Sequence, residues 1–310
     1  SVEGDSVPQA IEWIPKRTIR TGFRIQKLPH EILCHPTLGP IDVMPDHPHE
    51  GCCQEPSTIN YAANMKFVPE KEYPTFDGFQ PKPRIIAYGH VSGRSNHDKG
   101  PVNAARFPMI SVYDGRENNT STTGRVVVDS TWHHWFNLNL IGIENDVNKD
   151  NWNKISRYFI NIALWLSPTH LHHHICWWEV IRLQFKYPQI REIHKKTPLF
   201  DVGKLVRDSL IRQMGACWTT EFVLENICRV NRNLYDFYKK QLLPDFDFNP
   251  IDPICLTCPP FEAVETLVLG QMYRSMEPIA DKIKFSMSTR KPKSELKLVI
   301  AEIEKAALAG

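Results

Sequence analysis

The second half of the chain has apolar residues at every third or fourth position, as on one face of an α-helix. The first such series consists of Trp152, Ile155, Phe159, Ile162 and Leu166. Stretches with the same period follow at residues 171–181, 202–214, 222–238, 261–276 and 294–308. No repeat period links these stretches, so the sequence predicts a set of packed helices and not a solenoid.

The first half carries short β-branched runs that are bounded by proline and glycine, a pattern typical of β-strands. Three runs stand out, at residues 84–88, 109–113 and 124–129. Runs of this kind are common in sheets covered on both faces, so they predict a parallel or mixed sheet. The weakly periodic residues 51–83 are predicted to form a functional or disordered loop.

The two patterns together predict two structural regions. An α/β portion is expected at residues 1–145, followed by an α-helical domain at residues 146–310. The boundary is placed in the polar segment 141–151, which is rich in Asn and Asp. A chain of 310 residues is long enough for two domains.

The composition narrows the classes of partner. Lys and Arg number 37 and Asp and Glu 35, a formal net charge of +2, which gives no electrostatic reason to expect nucleic acid or a membrane surface. No uninterrupted apolar stretch approaches the ~18 residues that a membrane span needs. The 8 cysteines lie at irregular spacings, so we interpret them as reduced thiols and expect a cytoplasmic protein.

The first candidate site is a short segment that is dense in titratable side chains. Residues 46–53 read Asp-His-Pro-His-Glu-Gly-Cys-Cys, and the flanking proline and glycine indicate a rigid turn. In an extended segment, His47 and His49 would point to the same side. The segment therefore suits a metal or a phosphate. The alternative is a turn whose polar groups bond only to its own backbone and to solvent.

The second candidate site follows the strongest predicted strand. Residues 129–137 read Asp-Ser-Thr-Trp-His-His-Trp-Phe-Asn, at the position where open α/β sheets bind ligands. A histidine oriented by a carboxylate can act there as a general base. Because adjacent side chains of an extended segment point to opposite faces, at most one of His133 and His134 is expected to reach the site. The alternative is that the aromatic residues are core and both histidines bond to backbone.

Two further clusters give weaker signals. His170 and His174 share a helix face at a metal-ligand spacing, but position 171 is Leu and no His-Glu-x-x-His motif is formed. Cys255 and Cys258 form a single C-x-x-C pair, whereas a structural zinc site would need a second pair. Phosphate-loop, dinucleotide-binding and hydrolase-elbow motifs are absent from the sequence.

Several of these segments together resemble the distal part of a ThuA-like domain. The segments are His35-Pro36, Gly39-Pro40-Ile41, Pro45-Asp46-His47, His49-Glu50-Gly51, Arg84-Ile85-Ile86-Ala87, Tyr113-Asp114-Gly115 and the run from Gly124 to His134. The resemblance covers roughly residues 30–170, and the helical stretch from Tyr158 onward is similar to an extension of uncharacterised bacterial relatives. It implies a flavodoxin-like fold of the class I glutamine amidotransferase-like group, with His133 or His134 at the family's histidine position.

The resemblance also implies a first half-domain with a nucleophilic cysteine on a strand-to-helix elbow. No such segment precedes residue 30. The sheet is therefore expected to be incomplete, or to be completed by another chain.

Three functions follow from these patterns. The first is a ThuA-like protein, hydrolase-type if it is an enzyme, that binds or acts on a small polar ligand of sugar or amide type, with no cofactor. Its expected catalytic residues are His133, His134, Asp46 and Glu50, and its expected ligand-binding residues are His47, His49 and Asp129. This function requires the two histidine clusters to converge in space.

The two alternatives use other properties of the chain. One is a non-catalytic assembly module that pairs with a second polypeptide or with another copy, because adjacent Trp177 and Trp178 on one helix cannot both face the same core. The other is a metal-dependent hydrolase or metal-binding protein that holds a divalent transition metal through His47, His49 and His133.

Overall fold

The fold was examined in a computed structural model, which describes residues 8–21, 24–45, 51–57, 73–75, 78–91, 94–96, 100–117, 123–135, 137–145, 148–186, 197–244, 259–288 and 301. The chain divides into two compact units. Ser1–Lys16 and Pro29–Leu166 form the first, and Arg17–Leu28 and Ser167–Gly310 form the second. This division differs from the expected one at 145/146, because the long helix that ends at Leu166 belongs to the first unit.

The strands lie in the first 129 residues and are short. They are β1 Pro8–Ala10, β2 Glu12–Trp13, β3 Arg17–Thr21, β4 Arg24–Leu28, β5 Cys34–His35, β6 Gly39–Pro40, β7 Val43–Pro45, β8 Arg84–Val91, β9 Arg94–Asn96, β10 Gly100–Val102, β11 Ala105–Asp114 and β12 Arg125–Asp129. The three strongest predicted runs are confirmed as β8, β11 and β12. In β8 and β11, the β-branched residues Ile85, Ile86, Ile110 and Val112 lie at buried positions.

The largest sheet among the described residues has four strands in the order β12-β11-β8-β2, and every pair in it is antiparallel. The expectation of a parallel or mixed sheet is therefore wrong for these strands, and their direction differs from the parallel sheet of a flavodoxin-like fold. Coverage on both faces is also wrong for β12, because Val126 and Val128 are 50% and 47% exposed. Antiparallel sheets tolerate one solvated face.

Two helices complete the first unit, α1 Asn137–Glu144 and α2 Lys149–Leu166. The buried face of α2 carries Ile155, Tyr158, Ile162 and Trp165. The sequence predicted the neighbouring series with Phe159 and Leu166, and Leu166 is in fact 40% exposed. Both series have spacings of three and four, so periodicity alone could not separate them. On the buried face, the Tyr158 hydroxyl contacts Asp129 and the Arg125 guanidinium lies over the Trp165 ring.

The second unit is mostly helical. Its helices are α3 Thr169–Lys186, α4 Leu199–Met214, α5 Ala216–Val230, α6 Arg232–Gln241, α7 Phe261–Ser275 and α8 Glu277–Ser288. The predicted stretch 222–238 is divided between α5 and α6 because Asn231 caps α6, its side chain accepting a hydrogen bond from the Leu234 amide. The predicted helix at 294–308 lies outside the described residues, except residue 301.

The hairpin of β3 and β4 also belongs to the second unit. The Thr18 amide donates to the Leu242 carbonyl over 2.7 Å, and the Arg20 guanidinium donates to the Gln241 carbonyl over 3.0 Å. Arg17 forms an ion pair with Glu221 on α5. A search of the described helices finds none with the length and apolar character to cross a membrane.

Candidate functional site

The end of β12 presents Asp129 at the start of a tight turn. Asp129 pairs with Ile110 of β11, and the next residue, Ser130, donates its amide to the Met109 carbonyl over 2.9 Å. The Thr131 amide then donates to Asp129 Oδ1 over 3.2 Å, which turns the chain into a short 3₁₀ helix, Trp132–Trp135. Strand pairing and this turn together fix the position of the carboxylate.

His134 lies on that 3₁₀ helix and contacts the same carboxylate. The distance from His134 Nδ1 to Asp129 Oδ2 is 2.7 Å, and the two side chains are 0% and 1% exposed. An ionised carboxylate only accepts hydrogen bonds, so Nδ1 carries the proton and donates it. This bond fixes the tautomer, with the lone pair of the ring on Nε2, as in sites where histidine acts as a base.

Tyr158 on α2 completes a buried three-residue cluster with Asp129 and His134. Its hydroxyl donates to Asp129 Oδ2 over 3.0 Å, and its side chain is fully buried. Burial, with the Asp129 charge as a second cause, raises the pKa of Tyr158 well above its ordinary value, so the hydroxyl stays a donor. The sequence analysis missed Tyr158. The available signal was its position on the alternative apolar face of α2.

Cys53 lies beside this cluster as a buried thiol. Its Sγ donates to the Met109 carbonyl over 3.3 Å, and the Val128 carbonyl is 3.8 Å away. Burial raises the pKa of Cys53, and the negative charge of Asp129 raises it further. A protonated thiol that donates to backbone is a structural group, since the thiolate is the nucleophilic form.

The predicted residues Asp46, His47, His49 and Glu50 lie outside the described residues. The described chain on either side of them borders the turn after β12. Strand β7 contacts the 3₁₀ helix Trp132–Trp135, and a Cβ on Gly51 would stand 3.9 Å from the Ser130 carbonyl. The convergence of the two clusters stays a prediction.

Of the other predicted site residues, the structure describes only some. The backbone of His133 lies in the 3₁₀ helix, but its side chain is outside the described part, as are those of His170 and His174. Cys255 and Cys258 also lie outside it. Within the described residues no three His, Cys, Asp or Glu side chains are grouped to hold a metal ion. A metal held by His47, His49 and His133 stays a prediction.

The second unit holds a different polar cluster, in a cleft of about 460 Å³ between α4 and α7. Arg207 Nε donates to Glu265 Oε2 over 2.5 Å, and Arg207 also pairs with Glu262 at 3.3 Å. Burial raises the pKa of Glu265, while Arg207 and the Thr220 hydroxyl oppose that shift. Carboxylates thus balance the cationic side chains, and the cleft has no excess charge that would select a ligand.

Replacing Tyr158 by phenylalanine is expected to lower the free energy of unfolding by about 1.5 kcal/mol at neutral pH, because a buried hydrogen bond to a carboxylate is lost. The pKa of Tyr158 is raised on folding, so its contribution is complete below its ordinary value of 10.0 and declines as the pH rises above it. Urea unfolding at pH 7 and at pH 10.5 should show a smaller difference between wild type and Y158F at the higher pH. An equal difference at both would contradict this account.

Trp177 and Trp178 occupy different environments, as their adjacent positions on a helix require. Trp177 packs edge-on against Phe222, with ring centroids 6.2 Å apart, and Trp178 is 38% exposed. Leu171, seven positions earlier on α3, is 41% exposed. The prediction that one of the two tryptophans faces outward is confirmed.

Comparisons of the chain with protein-family models, curated proteins and solved structures find no match. The resemblance to ThuA-like domains therefore stays a prediction. The structure adds a local cluster of Asp129, His134 and Tyr158.

Proposed function

We propose that the chain is a ThuA-like protein in which His134 and Asp129 form a general acid–base site for a small polar ligand of sugar or amide type. The observation that carries the proposal is the buried contact of 2.7 Å between His134 Nδ1 and Asp129 Oδ2. The same carboxylate accepts from the Tyr158 hydroxyl and, through Oδ1, from the Thr131 amide. A carboxylate held at this many points can orient an imidazole with little freedom.

The chemistry assigned to this cluster is proton transfer during hydrolysis. This chemistry requires water and the ligand to reach Nε2 of His134, which is buried in the structure. Nε2 then takes a proton from the water molecule as the water oxygen bonds to the electrophilic carbon of the ligand, and the resulting imidazolium returns that proton to the leaving group. Asp129 stabilises the imidazolium by charge and keeps the ring in the productive tautomer. Tyr158 and Thr131 act as positioning residues, because they hold the carboxylate and do not contact the ligand.

The alternative role for the same contacts is purely structural. A buried hydrogen bond between His134 and Asp129 can serve only to anchor the 3₁₀ helix to the end of β12. The substitution His134→Asn separates the two roles, because the asparagine amide can donate to Asp129 in place of Nδ1 while it has no group that accepts and returns a proton near neutral pH.

We expect His134→Asn to lower kcat/KM by about a hundredfold, because positioned general-base catalysis contributes at least that factor. The assay is release of p-nitrophenolate from a panel of p-nitrophenyl glycosides and esters, together with ammonia release from small amides. Asp129→Asn should show a loss of similar size, because an amide that turns its NH₂ toward Nδ1 favours the other tautomer.

The matched control is His90→Asn, which removes an imidazole from β8 of the same sheet, with a side chain that is 49% exposed. This variant should retain wild-type kcat/KM. Circular dichroism and thermal unfolding establish that each variant is folded. A folded H134N protein with unchanged kcat/KM, or a wild-type protein that neither turns over nor is stabilised by any compound of the panel, would contradict the proposal.

A further inference from the structure

We propose that His35 makes the turn between β5 and β6 pH-sensitive, with the neutral imidazole closing the turn and protonation of the ring opening it. The inference concerns a conformational device and is independent of the acid–base site. Three features of the structure support it: the hydrogen bonds to one ring nitrogen, the shortness of the two strands, and the cationic side chains of α2 beside the ring.

The turn joins two very short strands. Cys34 pairs with Pro40 and His35 with Gly39, and residues 36–38 form the loop between them. Gly39 has a φ angle of 75°, which glycine adopts without strain. Pro40 has no amide hydrogen, and a two-stranded hairpin of this length has little stability of its own. The loop therefore depends on contacts other than strand pairing.

One ring nitrogen of His35 supplies such contacts. Its Nδ1 accepts hydrogen bonds from the Leu38 amide over 3.0 Å and from the Thr37 amide over 3.2 Å. The Thr37 hydroxyl lies 3.4 Å from the same nitrogen. A backbone amide nitrogen can only donate, so Nδ1 carries the lone pair and the ring proton is on Nε2. The ring thus acts like the side-chain oxygen of an aspartate or asparagine in an Asx turn.

Protonation of the ring removes this acceptor. An imidazolium has a proton on both nitrogens and only donates hydrogen bonds. The Nδ1 proton would then face the amide hydrogens of Thr37 and Leu38, and the ring would have to turn away from the loop. The closed turn and the charged ring therefore exclude each other, which is the property that a pH switch requires.

The surroundings of the ring also oppose a positive charge on it. Burial is the main cause that lowers the pKa of His35 from its ordinary value of 6.5, and the cationic Arg157 and Lys154 on α2 lower it further. Asp150, on the same helix, acts in the opposite direction. The loop and β6 carry no titratable side chain, because residues 36–40 read Pro-Thr-Leu-Gly-Pro.

The cationic groups of α2 are fixed by partners of their own. Lys154 Nζ pairs with Asp42 at 2.7 Å, and Arg157 Nε donates to Asn161 Oδ1 over 2.8 Å. Asn161 also donates to the Cys34 carbonyl over 2.9 Å, which attaches β5 to α2 through its backbone. The buried thiol of Cys34 is the other titratable group on β5. Protonation of the ring therefore opens the loop and leaves β5 attached to the helix.

The direction of the pKa shift gives the pH window. Since the pKa of His35 is lower in the folded chain than in the unfolded one, protonation disfavours the closed turn. The stabilisation of the turn is complete above the ordinary value of 6.5 and is lost as the pH falls below it, toward the pKa of the closed turn.

The test is hydrogen exchange of the Thr37 and Leu38 amides in the full chain, followed by NMR between about pH 7.5 and about pH 5. Each exchange rate is divided by the rate for an unstructured peptide at the same pH. We expect the protection of both amides to fall at least about tenfold as the pH is lowered, a factor equivalent to one pKa unit. The ring signals of His35 should titrate below 6.5 over the same range.

The matched variant is His35→Asn. The asparagine Oδ1 can accept from the same two amides but does not titrate, so their protection should stay constant over that pH range. His90→Asn is the control, since it removes an imidazole that is 49% exposed on β8 and should leave the pH dependence as in wild type.

Three results would each overturn the proposal: a pKa of His35 at or above 6.5, amide protection that does not change with pH, and an unchanged pH dependence in H35N. The titration of His35 in the wild-type chain decides the question even if H35N does not fold.

Discussion

Replacing Gly203 by alanine is expected to lower the free energy of unfolding by about 3 kcal/mol. A Cβ at Gly203 on α4 would stand 1.9 Å from the Thr266 carbonyl oxygen on α7, a distance at which two atoms cannot coexist. The clash is with backbone, so no side-chain rotation relieves it and the two helices must separate. Gly270 on α7 makes the reciprocal approach, with its Cβ position 2.4 Å from the Leu199 carbonyl oxygen.

Urea unfolding measures this effect, and Gly124→Ala provides the control. A Cβ at Gly124 would meet no atom within 4 Å, and its backbone angles are not in the left-handed region. We expect the free energy of unfolding of that variant to lie within about 0.5 kcal/mol of the wild-type value, which is the usual range for surface substitutions. If G203A proved as stable as G124A, helices α4 and α7 would have to lie further apart than the structure places them.

Replacing Asn161 by alanine is also expected to cost about 3 kcal/mol, by a different mechanism. Asn161 on α2 is fully buried, and its Nδ2 donates to the carbonyls of Ile32 and Cys34 over 3.0 and 2.9 Å. Its Oδ1 accepts from Arg157 Nε over 2.8 Å. Alanine would leave two buried carbonyls and a guanidinium without these partners, and each lost contact carries a desolvation cost.

The control for this variant lies two turns earlier on the same helix. Asn153 is exposed, so Asn153→Ala changes the same residue type in α2 without removing a buried partner. Thermal unfolding should show a large decrease in Tm for N161A and little change for N153A. Equal shifts in the two variants would mean that the asparagine amide does not hold α2 to the Ile32–Cys34 segment.

The sequence predicted where the main strands and helices lie more reliably than how they pair. The β-branched runs located β8, β11 and β12 because strand propensity and turn residues are local properties. Strand direction depends on the connections between strands, and a short apolar run is compatible with either direction. The same limit applies to α2, where two apolar series have the same period. The buried series is the one that includes Tyr158 and Trp165, which contact Asp129 and Arg125.

The candidate site was predictable in part, because local sequence patterns show local features and not contacts between residues distant in sequence. Asp129 and His134 are close in sequence, and a polar cluster directly after a strong strand is a local signal. Tyr158 comes from a separate helix, and no local pattern distinguishes a core tyrosine from one whose hydroxyl contacts a carboxylate. The division into units was also missed, because the hairpin of β3 and β4 joins the second unit through contacts distant in sequence.

That hairpin has a consequence for the order of events during synthesis. Gln241, whose carbonyl accepts from Arg20, leaves the ribosome 221 positions after it. Ribosomes add about 5–20 residues per second, so the hairpin waits ~10 seconds or more for the helices it packs against. The first unit can collapse before then, but the second unit must recruit Arg17–Leu28, which precedes the rest of that unit by more than a hundred positions. A fragment that begins at residue 167 would lack that segment. In the full chain, the long loop between the hairpin and the helices of the second unit must close, and we expect this closure to slow folding.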